Sequence, residues 1–84
     1  MEERRKEPRI RTRGLVRLVT SDATVSGHIF DWSNSGACVE ADGPLPKGVP
    51  VLMEAEGFET SGTIRYCAPS NENNYLIGLA LDEH

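Results

Sequence analysis

His28, Asp31 and Ser33 bring the residue types of a hydrolytic triad into six positions. A triad works only when the base lies within hydrogen-bond reach of the nucleophile and is itself oriented by the acid. These residues fall on a stretch read below as a strand and its turn, where successive side chains point to opposite faces. Alternation sets His28 opposite Asp31 and Ser33, so hydrolysis is not expected. His84 ends the chain, too distant from His28 to suggest a shared metal. Cys38 and Cys67 form no CxxC and give neither a disulfide framework nor a zinc-ligand set. They are expected as small core residues of a chain kept in a reducing cytosol. Phosphate-cradling GxxxxGK[ST] and GxGxxG patterns are absent. No catalysis, metal or cofactor is expected.

Two short motifs remain. Arg5-Lys6-Glu7-Pro8-Arg9 is an RxxxR with Arg4 directly before it. Asp31-Trp32-Ser33-Asn34-Ser35-Gly36 is a DxSxxG. Each has a plain reading by itself. RxxxR arises in any basic tail. DxSxxG can be a turn in which Asp and Ser bond their own backbone and Gly supplies positive φ. Charge adds to the first motif. Residues 1–17 carry seven basic against three acidic residues, a formal +4, while residues 18–84 carry two against ten, a formal −8. A cationic head on an acidic body points to an anion met by the head.

The elements that must position these residues read as β. The chain has 84 residues, enough for one domain with a thin core. Leu15–Thr20, Val25–Asp31, Gly36–Ala41, Val51–Glu56, Phe58–Tyr66 and Tyr75–Leu81 are short apolar or alternating runs. Turn residues separate them at Ser21-Asp22, Asn34-Ser35, 42–48, Glu56-Gly57 and 70–74. Val51, Met53 and Ala55 share one face of their run, and Leu52, Glu54 and Glu56 the other. Tyr75–Leu81 is apolar on both faces and is expected as a central strand buried on both sides. Helix signals are poor, because no apolar stripe of helical spacing runs a dozen residues without Gly or Pro. The expected fold is all-β, a small antiparallel six-stranded barrel over residues 14–84, with a flexible basic arm over residues 1–13. Closure removes the exposed edges a small sheet would otherwise present. No run approaches the length of a membrane span, and the N-terminus lacks the apolar stretch of a secretory signal. No membrane insertion and a cytoplasmic location are expected.

The two motifs in this order, on an all-β body, resemble the PilZ domain, the bacterial receptor for cyclic di-GMP. The resemblance runs from Arg4-Arg5 and Pro8-Arg9 through Asp31-Trp32-Ser33-Asn34-Ser35-Gly36-Ala37 and Pro44-Leu45-Pro46-Lys47-Gly48 to Ile77-Gly78-Leu79. One departure is plain. The family commonly carries a helix after the last strand, whereas Asp82-Glu83-His84 follow it here, so helix-dependent partner docking is in doubt.

The resemblance implies a receptor or adaptor that binds cyclic di-GMP through Arg4, Arg5, Arg9, Asp31, Ser33 and Gly36 and relays the signal to a protein effector. The physical chemistry agrees. A guanidinium fork matches the O6 and N7 acceptors of guanine and pairs with phosphate. By resemblance Arg5 and Arg9 take these roles. A carboxylate only accepts, so Asp31 suits the N–H donors of guanine. Ser33 shares its face in an extended strand, and Gly36 leaves room for ligand to approach backbone. Trp32 points away from both and is expected to pack. An arginine in the position of Arg4 accompanies two stacked ligands per site in the family. The arm is expected to be loose without ligand and to wrap over it. The associated outputs are motility, exopolysaccharide, biofilm and virulence. Two other classes compete. An RNA- or single-stranded-DNA-binding barrel needs a basic groove and aromatic platforms, and a body of −8 with five aromatic residues opposes it. A ligand-free adaptor of the same family would not need both motifs intact.

Overall fold

The computed structural model describes residues 14–71 and 73–82. Six strands appear in chain order: β1 Leu15–Val19, β2 Thr24–Trp32, β3 Gly36–Ala41, β4 Pro50–Ala55, β5 Phe58–Pro69 and β6 Tyr75–Leu81. Every pairing is antiparallel, and the order β1-β2-β3-β6-β5-β4 closes as a barrel when β4 pairs back to β1. The six-stranded barrel read from the sequence is therefore the fold. The strand read as ending at Tyr66 continues to Pro69, where it pairs with Tyr75. Residues 1–13, set apart above as the arm, lie outside the described residues. So do Arg4, Arg5 and Arg9.

Period two explains which face each strand buries. Val16 and Leu18, Ala37, Val39 and Ala41, Val51 and Met53, and Ile77, Leu79 and Leu81 all point inward and are buried. No polar side chain is buried among the described residues, so the interior carries no unpaired donor or acceptor to offset. Each end of the barrel has its own plug. At one end Trp32 and Phe58 stack against each other and pack on the core. At the other, Leu45 folds in from the 42–49 loop and is 3% exposed. That loop is tied down where Gly48 N–H donates to the Ile64 carbonyl (2.8 Å) and Ile64 N–H to the Val49 carbonyl (3.0 Å). Gly48 has φ +88° and no neighbour near its missing Cβ. Its role is the left-handed backbone, which side chains disfavour.

Two strands break the alternation. The register shifts between Ile29 and Asp31 in β2 and between Ile64 and Tyr66 in β5. Phe30 and Arg65 are the extra residues of these bulges. A bulge inserts one residue and re-aims its neighbours. Asp31 pairs with Cys38 and His28 with Glu40, all on the outer face, whereas Ile29 pairs with buried Val39. The expectation that His28 points opposite Asp31 is thus overturned, because Phe30 resets the phase between them. Among the described residues no hydrogen bond joins His28 to Asp31 or Ser33.

The strand expected to be buried on both sides also needs correction. β6 is central, between β3 and β5. Its inner face is buried, but on the outer face Leu76 and Ala80 are only half-buried. Gly78 is buried there beneath the Tyr66 ring. Among the described residues no second layer covers it, and no helix is long and apolar enough to cross a membrane.

Candidate functional site

The DxSxxG segment turns the chain from β2 into β3. Trp32 pairs with Ala37, Ser33 N–H donates to the Gly36 carbonyl (2.8 Å), and Leu81 N–H donates to the Ser35 carbonyl (3.0 Å). The turn is held, among the described residues, by main-chain bonds alone. Among the described residues the Asp31 carboxylate and the Ser33 hydroxyl have no hydrogen-bond partner, and both residues are exposed. The turn reading, in which Asp and Ser bond their own backbone, does not describe this corner. Gly36 does not supply positive φ either, since among the described glycines only Gly48 and Gly57 have it. A Cβ on Gly36 would stand 3.0 Å from the Leu79 carbonyl oxygen. The absent side chain serves the approach of β3 to β6 as well as access from outside.

Asp31, Ser33 and Gly36 line one groove of about 360 Å³ on the outer face, together with Cys38, Arg65, Tyr66 and Gly78. The registers explain how residues so far apart in sequence meet. Asp31 pairs with Cys38, Cys38 with Gly78, and Gly78 with Tyr66. These four form one row across β2, β3, β6 and β5. A Cβ on Gly78 would collide with three atoms of the Tyr66 ring, so the ring lies over the glycine. Its hydroxyl reaches the Cys38 sulfur at 3.7 Å. The Tyr66 phenol is pushed above its usual value, first by that hydrogen bond, then by the charge of the Cys38 thiolate and by burial. The Arg65 guanidinium pulls it the other way.

Four of these groove residues were not assigned to the site from sequence. Cys38 was expected in the core. It is half-buried on the outer face instead, while Cys67, inward after the bulge, packs against the core as expected. Arg65 did carry a signal, being one of two basic residues beyond position 17. Gly78 was marked only within the Ile77-Gly78-Leu79 of the resemblance and Tyr66 carried no signal, because their meeting depends on the β5–β6 register. Trp32 points inward, away from Asp31, and packs as expected.

A larger depression of about 670 Å³ lies over β1, β4 and the start of β5. Its cation, Arg17, is paired with Glu54 through Nε (3.2 Å) and Nη2 (2.5 Å). Glu56 and Glu59 also line it. That surface repels anions. The smaller groove carries one carboxylate, Asp31, and one guanidinium, Arg65, unpaired among the described residues, and suits a ligand with both donor edges and negative charge. Among the described residues no His, Cys, Asp and Glu group is arranged to hold a metal ion.

The family model of the PilZ domain matches residues 3–84, nearly the whole chain and both motifs. No curated protein gives a match.

Proposed function

This chain belongs to the PilZ domain family of cyclic di-GMP-binding receptors and adaptors, and we propose that it binds cyclic di-GMP in the groove beside Asp31, Ser33 and Gly36. The observation that carries the proposal is the Asp31 carboxylate and Ser33 hydroxyl, without hydrogen-bond partners among the described residues, at a turn that does not use them. Asp31 accepts from the N–H donors of a guanine, Ser33 adds a donor or acceptor beside it, and Gly36 gives the ligand access to backbone.

Charge supports a role for residues 1–13 as a clamping arm. The described residues include three basic and eight acidic side chains, too acidic a surface to hold two phosphates alone. Arg4, Arg5 and Arg9 supply the missing positive charge. Leu15 pairs with His28, so the chain enters β1 at the end of the barrel where β2 runs into the 31–36 corner. Arg9 precedes Gly14 by five residues, an extended reach of about 17 Å. Closing the arm over bound ligand changes the surface offered to a protein effector, which is the relay step. Motility, exopolysaccharide and biofilm control are the outputs to assay, in a cytoplasmic setting and without catalysis.

Calorimetric titration with cyclic di-GMP, GTP and a single-stranded oligonucleotide tests the reading. Binding of cyclic di-GMP alone is expected. Saturating ligand at 100 times Kd adds about 2.7 kcal/mol, a rise in Tm of roughly 10–20 °C for a domain this small. Preference for the oligonucleotide would make the chain a nucleic-acid binder. Silence toward all three would make it a ligand-free adaptor.

A further inference from the structure

We propose that Tyr66 is the base-stacking platform of the groove and Arg65 its barrel-borne phosphate contact. This rests on the reading of the groove as the cyclic di-GMP site and assigns roles to residues outside both sequence motifs.

The β5 bulge makes the assignment possible. In a regular strand Arg65 and Tyr66 would point to opposite faces. The register shift between Ile64 and Tyr66 leaves both side chains on the groove side. Bulges commonly re-aim side chains at sites. The Tyr66 ring is also held from two directions. Gly78 leaves the space beneath it, and the hydroxyl is bonded to Cys38. Even so the residue remains 47% exposed. A ring seated on backbone below, anchored at its tip and open above offers a π-face to a base.

Arg65 stands at the other end of the same surface. Among the described residues its guanidinium has no ion pair, whereas Arg17 is engaged by Glu54. Asp31 on β2 and Arg65 on β5 are separated by β3 and β6, three strand spacings or about 14 Å. Across the outer face the order is carboxylate, thiol, aromatic ring, guanidinium. A guanine with its N–H edge at Asp31 extends toward the Tyr66 ring, which directs its phosphate to Arg65. The arrangement therefore takes a guanine nucleotide rather than a simple anion.

The test titrates cyclic di-GMP into wild type, Tyr66→Ala, Tyr66→Phe and Arg65→Gln, with circular dichroism to verify the fold. Tyr66→Ala is expected to weaken binding about ten- to hundredfold. Tyr66→Phe keeps the ring and stays within about threefold of wild type. Arg65→Gln weakens binding and flattens its dependence on salt, as loss of an ionic contact requires. In wild type, saturating cyclic di-GMP shields Tyr66 from nitration by tetranitromethane, with Tyr75 as the internal reference. That measurement serves if a variant fails to fold. Folded variants that bind like wild type, or unchanged nitration of Tyr66 in the saturated protein, overturn the assignment while leaving the cyclic di-GMP reading intact. Wild type that does not bind cyclic di-GMP overturns both.

Discussion

Trp32 and Phe58 stack with ring centroids 4.6 Å apart and planes 10° from parallel, joining the end of β2 to the start of β5, strands that share no hydrogen bonds. The tryptophan sits between Asp31 and Ser33 in sequence, yet it belongs to the barrel's end plug. The same strand end thus gives one face to stability and the other to the groove.

Trp32→Ala is expected to destabilise the domain by about 2–4 kcal/mol, from lost burial and a lost aromatic pair. Trp32→Phe should recover much of that, and in its folded fraction should bind cyclic di-GMP as wild type does. Urea unfolding and calorimetry on both variants separate the two roles. A base-stacking Trp32 would instead show weakened binding in Trp32→Phe with little change in stability.

Asp31→Ala is expected to weaken cyclic di-GMP and to narrow the preference over cyclic di-AMP, because the carboxylate accepts from donors that adenine lacks at those positions. Stability should change little, since the exposed carboxylate has no partner among the described residues. Parallel titrations of the two dinucleotides measure the ratio, and an unchanged ratio would remove Asp31 from the reading of guanine.

Arg5→Ala and Arg9→Ala are each expected to cost at least about 1–3 kcal/mol in binding, roughly ten- to hundredfold. Among the described residues the barrel core draws on Val16 onward, so the far-ultraviolet spectrum should not change. A variant that titrates like wild type removes that arginine from the site.

Arg4 bears on stoichiometry. Two stacked ligands bring four phosphate charges and additional guanine edges, giving a third guanidinium a partner. Titration well above Kd should end near two ligands per protomer for wild type and nearer one for Arg4→Ala. An endpoint of one in both would leave Arg4 outside the site.

The Tyr66 phenol offers a check on the groove's floor without ligand. Its proton is retained chiefly through the bond to Cys38 and the charge of the thiolate. Cys38→Ala removes both causes while leaving Arg65 nearby. The phenol should then ionise at lower pH than in wild type, read from phenolate absorbance, with Tyr66→Phe identifying the signal.

Alternation in Val51–Ala55, the apolar run Tyr75–Leu81 and the turn residues between runs made six strands legible, because a side chain's face follows from backbone pleat and its burial from hydrophobicity. Motif spacing made Asp31, Ser33 and Gly36 legible as one corner for a similar reason, since neighbours in sequence need no distant partner to stand together. The bulges at Phe30 and Arg65 were beyond such reading. One extra residue leaves no mark in composition, and whether a strand absorbs it depends on the register of the strand beside it. That register turned His28 to the face of Asp31 and laid Tyr66 across Gly78, whereas Cys38 faces outward by the plain alternation of β3, between buried Ala37 and Val39. Asp31 and Tyr66 meet in one groove because β3 pairs with β6, a contact closed by the barrel as a whole and written in neither segment alone.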